Sequence, residues 1–282
     1  MDDRRQEVRK LARLTPQEVI KRAGDNIIVC KDLDVLHLRF AENIRDEIKR
    51  NNNNNKLSRF ILPVGPTGQY PILAELLNEE HISLENCWFF FMDEYCDEDG
   101  NAVDISHPLS FKKVAKTLFF DLLENFLNLK EEQVFFPDET NINDLEDVIN
   151  EIGGIDVCYG GIGIHGHVAF NEPQECVKNS SPRKVRLNKF TITINAIRAE
   201  VGGNLENFPK EAYTIGMKQV LNAQKIRLYC RNGSSYDWAN LILRIALLGH
   251  PGDDYPVTHI RGHPDYTITT DWDTLKTPKN QI

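Results

Sequence analysis

The chain has 282 residues, 33 basic and 42 acidic, for a formal net charge of −9, and 41% of them are apolar. That length can bury a core without disulfides or metals as staples, and the composition excludes a disordered or collagen-like chain. The acidic balance argues against a nucleic-acid partner, which would call for a basic excess, while a few local donors would still suffice for a small anion.

The start, Met1-Asp2-Asp3-Arg4-Arg5, is followed by no apolar segment, so no secretory leader is expected. The longest strongly apolar run, 87–92, falls far short of the roughly 20 residues that span a bilayer. No membrane partner is expected. Six cysteines are scattered with no C-x-x-C pair, which points to free thiols and a cytoplasmic location.

Leu36, Phe40, Ile44 and Ile48 form one apolar stripe and predict a helix over 34–50. The asparagine tract 51–55 is expected to end it as a solvated loop. Apolar runs then alternate with turns and helical periods. Run 60–64 leads into Gly65-Pro66-Thr67-Gly68 and a helix over 72–77, and run 88–92 leads into Asp93-Glu94-Tyr95. Phe111, Val114, Leu118 and Leu122 mark another helix face, opened near His107-Pro108. Run 155–159 enters a glycine-rich turn; run 226–230 enters Arg231-Asn232-Gly233-Ser234-Ser235 and a helix through 238–248. A last strand is expected over 266–270. The pattern predicts an α/β fold, a Rossmann-like, mostly parallel sheet with helices on both faces. No linker interrupts it, so a single domain over 1–282 is expected.

In such sheets ligands bind beyond the carboxyl ends of the strands. Four places qualify: 65–68, 93–94, 161–172 and 233–236. Gly65-Pro66-Thr67-Gly68 is either a structural βα turn or an anion cradle built from free N–H groups, a helix start and the Thr67 hydroxyl. Asp93 and Glu94 are adjacent, so on an extended chain one can face a cleft while the other is tied down. A carboxylate after an aromatic strand is partly desolvated, which raises its pKa towards that of a general base. The bland alternative is a helix cap.

Residues 161–173 form the densest cluster, with His165, His167 and Glu172 after a buried strand. A carboxylate–imidazole pair between Glu172 and His167 would set the ring's tautomer and raise its basicity. Surface histidines, or a metal held by His165 and His167, are the alternatives; two histidines without a third placed ligand make a weak case, and no metal is expected. His250, His259 and His263 lie in a Gly/Pro-rich stretch and are expected to be loop residues.

Segment 161–173 resembles the G-x-G-x-D-G-H-I-A-F-N-E-P signature of glucosamine-6-phosphate deaminases. Phe91-Met92-Asp93-Glu94-Tyr95 is similar to their N-M-D-E-Y, Leu62-Pro63-Val64-Gly65-Pro66-Thr67 to their L-P-T-G-G-T, His107-Pro108-Leu109-Ser110-Phe111 to H-P-x-S-Y, and Tyr213-Thr214-Ile215-Gly216-Met217 to L-T-V-G-V. The resemblance spans about 60–230. It implies conversion of glucosamine 6-phosphate to fructose 6-phosphate and ammonia without metal or organic cofactor. It also implies that Asp93 carries the C2/C1 proton, that His167 opens the sugar ring, and that Glu172 is its acidic partner. Gly65, Thr67, Gly68 and Arg198 would hold the phosphate, and a homo-oligomer is possible.

Two positions depart from the pattern. His165 stands where the family has an aspartate that supports the histidine, so His167 should be less basic or held differently. No lysine stands near 235–236; Arg231 is the nearest cation, and Lys184 and Arg186 follow the signature. The alternatives to an active deaminase are a catalytically impaired sugar-phosphate-binding or regulatory homologue, and a 6-phosphogluconolactonase-like hydrolase.

Overall fold

A computed structural model describes residues 2–232 and 238–282; the predicted functional segment 233–236 lies outside them. In chain order the elements are α1 (Asp2–Ala12), α2 (Pro16–Ala23), β1 (Ile27–Cys30), α3 (Leu33–Asn53), β2 (Ser58–Leu62), α4 (Gln69–Glu79), β3 (Cys87–Phe91) and β4 (Asp93–Tyr95). They continue with α5 (Phe111–Leu118), β5 (Val134–Phe135), α6 (Leu145–Glu151), β6 (Val157–Gly161), β7 (Arg183–Arg186) and α7 (Lys189–Arg198). The remainder are β8 (Glu211–Thr214), α8 (Met217–Asn222), β9 (Lys225–Tyr229), α9 (Ala239–Leu248), β10 (Tyr266–Asp271) and α10 (Trp272–Leu275), with short 3-10 turns between.

Seven strands form a parallel sheet in the order β1-β10-β9-β6-β2-β3-β5. Its side chains alternate between two cores. Ile61, Phe90 and Cys158 enter one, with Val19, Ile149, Val220 and Leu243 from α2, α6, α8 and α9. Phe60, Leu62, Phe89, Phe91, Val157 and Tyr159 enter the other, under Phe40, Ile44, Leu73 and Leu77 from α3 and α4. Both faces are buried, which is why these strands read as continuous apolar runs rather than alternating ones. Each such aromatic or branched side chain contributes about 1.5–3 kcal/mol when fully buried.

A second, antiparallel sheet has the order β4-β8-β7. Met92 joins the two: its N–H donates to Leu62 O in the large sheet, while its carbonyl accepts from Ile215 N beside the small one. Asp93 therefore begins where the sheets part, at the carboxyl end of β3.

The doubly covered parallel sheet agrees with the sequence expectation. The asparagine tract does not: α3 continues to Asn53, and Asn51 is buried, its amide donating to Leu57 O and Ser58 Oγ. Bonds to the incoming β2 satisfy a side chain that would otherwise compete with helical backbone. The helix at 111–122 stops at Leu118 and resumes as a 3-10 turn, Phe120–Leu122. The sequence reading did not anticipate β1, β5, the small sheet, or α1, α2, α6, α7, α8 and α10. All six cysteines are free, five buried and Cys176 exposed. Among the described residues no helix is long and apolar enough to cross a membrane.

Candidate active site

Asp93, Thr214 and Arg183 stand directly opposite one another across β4, β8 and β7. Cross-strand partners share a face, so one face of the small sheet presents carboxylate, hydroxyl and guanidinium in a row. Asp93 is buried; its Oδ1 accepts from the Thr214 hydroxyl and from Phe170 N at 3.0 Å. Burial pushes its pKa up to about 7 against the opposing pull of those two donors. Among the described residues no hydrogen bond engages Oδ2, which leaves that oxygen to carry a proton.

Glu94 turns the other way. Its carboxylate accepts from the backbone N–H groups of Phe111 and Lys112 at 3.0 and 2.9 Å, from the Ser110 hydroxyl at 3.1 Å and from Tyr95 N at 2.9 Å. It caps α5. Of the acidic pair it is Glu94 that takes the capping role.

The loop after β6 carries the imidazoles. Gly163 N donates to His167 O at 2.9 Å, and Gly166, at φ +75°, makes the turn between them. The His167 ring lies over Gly163, where a Cβ would stand 1.9 Å from Nε2. Ala169 adopts φ +54°, uncommon for a residue with a side chain. That turn precedes Phe170, whose N–H reaches Asp93, so the carboxylate is bound to the loop that carries His167.

His167 Nδ1 lies 3.0 Å from His165 Nδ1. His165 Nε2 lies 2.6 Å from Asn188 Nδ2, 3.3 Å from Thr191 Oγ1 and 4.0 Å from Glu172 Oε1. The expected pairing of Glu172 with His167 is therefore replaced by one in which Glu172 faces His165. The cause is local: buried Asn171 is pinned by bonds to Val168 O and Ile215 O, and Glu172 Oε2 accepts from Asn188 N at 2.8 Å, drawing the carboxylate to the start of α7. Glu172 Oε1 is buried without a hydrogen-bond partner. Burial raises the pKa of Glu172 and lowers that of His165. His167 is held well below the ordinary imidazole range, by burial first and then by His165 and Arg198. The lower basicity expected from His165 in place of a carboxylate agrees with this direction.

The turn at 65–68 opens α4 beside this loop, with Pro66 Cδ 3.2 Å from where a Cβ on Gly161 would sit. Gly65 is exposed, and the His37 ring packs against Gly68 so closely that a Cβ there would stand 2.3 Å from it. Thr67 O accepts from Tyr70 N at 3.0 Å. Arg198, the last residue of α7, stacks on Trp238 with 5.3 Å from its guanidinium carbon to the ring centre. Desolvation lowers the pKa of Arg198, and the charge of Arg231 lowers it further; Arg231 acts in the same direction on His37. The Arg231 charge thus reaches both Arg198 and the His37 ring that packs against Gly68.

Sequence reasoning missed Arg183 and Asn188. Arg183 Nη1 donates to Asn171 Oδ1 at 2.9 Å, while its buried Nη2 has no partner. Neither residue has a local signal, because strand pairing and a helix cap bring them in from outside the motif. Among the described residues no group of three or more histidines, cysteines or carboxylates is arranged to hold a metal. A cavity of about 390 Å³, lined by Glu47, Arg50, Lys56, Arg59, Asp156 and Lys225, lies at the opposite, amino-terminal ends of β2, β6 and β9.

No family model matches the chain. A glucosamine-6-phosphate deaminase of Caenorhabditis elegans is 30% identical over 210 residues, which cover 72% of this chain and 74% of that protein. The chain belongs to the glucosamine-6-phosphate deaminase family. A deaminase of Thermoanaerobacter pseudethanolicus is 28% identical over 251 residues, 87% of this chain and 92% of that one. Among solved structures, a monomeric glucosamine-6-phosphate deaminase superposes with a TM-score of 0.77 at 24% identity, covering 90% of this chain and all of that one. A 6-phosphogluconolactonase from Thermotoga maritima gives 0.62 at 16% identity over 87% of this chain and 98% of that one, a likeness of fold alone.

Proposed function

We propose that this chain is an enzyme that converts glucosamine 6-phosphate and water to fructose 6-phosphate and ammonia. The observation that supports it most is the carboxylate of Asp93, with a near-neutral pKa and one oxygen without a hydrogen bond among the described residues, bonded to the very loop that holds His167. Family membership supplies the substrate class.

The steps follow from the groups. His167 gives a proton to the ring oxygen as the C1–O bond breaks and the C1 hydroxyl gives its proton to water, releasing an open-chain aldehyde. Asp93 takes the C2 proton, the electron pair of that C–H bond forms the C1=C2 double bond, and the C1 oxygen takes a proton from water to give the enol. Returning that proton at C1 leaves a C2 iminium, which water hydrolyses to the ketone with loss of ammonia. A carboxylic acid near pKa 7 both accepts and returns a proton at neutral pH, as this exchange requires. Glu172 and His165 support the imidazole from behind. Gly65, Thr67, Gly68 and Arg198 hold the phosphate, with Arg231 taking the place of the absent lysine, so that remote binding energy orients the reacting carbons. The chain works as one soluble cytoplasmic unit.

The test is release of ammonia and ketose 6-phosphate from glucosamine 6-phosphate, with Asp93→Asn as control. Turnover lost in the variant supports the reading; sugar-phosphate binding without turnover by the unmodified chain replaces it with a silent binding protein.

A further inference from the structure

Two imidazole nitrogens 3.0 Å apart need one proton between them, and which ring owns it is not visible from the pair alone. The neighbour on the far side decides. Asn188 is the N-cap of α7, and its Oδ1 accepts from Phe190 N at 2.9 Å and Thr191 N at 3.0 Å. Flipping the amide would set its NH2 against two backbone donors. The group 2.6 Å from His165 Nε2 is therefore the NH2, a donor, and Nε2 must accept. A neutral His165 then carries its proton on Nδ1 and donates it to His167 Nδ1. A neutral His167 consequently carries its own proton on Nε2.

We propose that Asn188 and His165 are positioning residues that lock His167 as the Nε2–H tautomer, so that it meets the substrate as a neutral hydrogen-bond and proton donor. A carboxylate in place of His165 would do the reverse, accepting from Nδ1–H and leaving a lone pair on Nε2. Burial disfavours the charged form of both rings, in keeping with a neutral pair. The groups facing the pair are Glu172 and Asn188 behind His165, Thr191 from α7, and the Arg198 cation near His167. Among the described residues His167 Nε2 has no hydrogen-bond partner, so its proton is free for a ligand. Only the identity of the receiving atom, the sugar ring oxygen, rests on the deaminase reading.

The test is long-range 1H–15N correlation on the full chain labelled at histidine, near pH 8, with His165 and His167 assigned by single substitution. The expected pattern is pyrrole-type Nε2 and pyridine-type Nδ1 for His167, and the opposite for His165. Pyrrole-type Nδ1 at His167 overturns the proposal. Asn188→Asp retains an oxygen to cap α7, so the fold should persist, but it replaces the donor with an acceptor. Both rings should then switch tautomer, and kcat with glucosamine 6-phosphate should fall at least about tenfold with KM within about twofold. A switch without loss of kcat overturns the donor role. If the unmodified chain releases no ammonia at all, the deaminase reading fails while the nitrogen pattern still decides the tautomer.

Discussion

Thr214 donates its hydroxyl to the Asp93 carboxylate from the position directly opposite it across the β4–β8 pair. The same Asp93 oxygen also receives the N–H of Phe170. Two donors on one oxygen stabilise the ionised form, yet burial outweighs them and the pKa rises to about 7.

The pH dependence follows with a definite sign. The base form of Asp93 forms as pH rises through about 7, so kcat/KM should climb with an acid limb centred there. Thr214→Val removes a donor that favours the ionised form, so the limb should move to higher pH. An unmoved limb in that variant, measured by rate against pH, would separate it from Asp93.

Stability should move the opposite way. A carboxyl with folded pKa about 7 binds its proton more tightly than in the unfolded chain, where about 3.9 is usual. Its contribution is fully present below about pH 4 and is lost as pH rises to about 7. Asp93→Asn, which keeps an acceptor for Thr214 and Phe170, should raise Tm by several degrees at pH 8 while lowering kcat by about 100-fold or more. Thermal melts at pH 5 and 8 read the difference, and an equal shift at both would contradict the account.

Glu94 should behave in the contrary manner. Both carboxylate oxygens of Glu94 accept hydrogen bonds, so Glu94→Gln sets an amide NH2 against a backbone N–H and should cost about 1–2 kcal/mol of stability. With substrate saturating, the rate should stay within about threefold, because the side chain points away from Asp93. Urea titration and steady-state kinetics on one sample check both halves.

Gly163→Ala should disable the imidazole without unfolding the chain. The new methyl carbon would occupy the space of the His167 ring, so the ring must move. Displacement by about 1 Å can cost about 100-fold in rate. A variant crystal showing the ring in place with full activity would refute the geometry.

Arg198→Ala tests the phosphate end. A lost charge-assisted contact of about 1.5–3 kcal/mol should raise KM for glucosamine 6-phosphate by roughly 10- to 100-fold and leave kcat much less changed. Unphosphorylated glucosamine, lacking the anion, should show no such difference between the two proteins.

Composition and periodicity by themselves determined the α/β class, the alternation of strands with helices, and the places where Asp93, His165, His167 and Glu172 leave their strands. Those features are local: continuous apolar runs, glycine turns and the four-residue stripe Leu36, Phe40, Ile44 and Ile48 are encoded by neighbouring residues. Only the tertiary structure decided that Glu172 faces His165 rather than His167, that Arg183 and Thr214 flank Asp93, and that the amide of Asn188 sets the imidazole pair. Those relationships join segments up to about 120 residues apart through antiparallel register and a helix cap. Register and capping direction depend on how both partners pack, so no single stretch of chain encodes them.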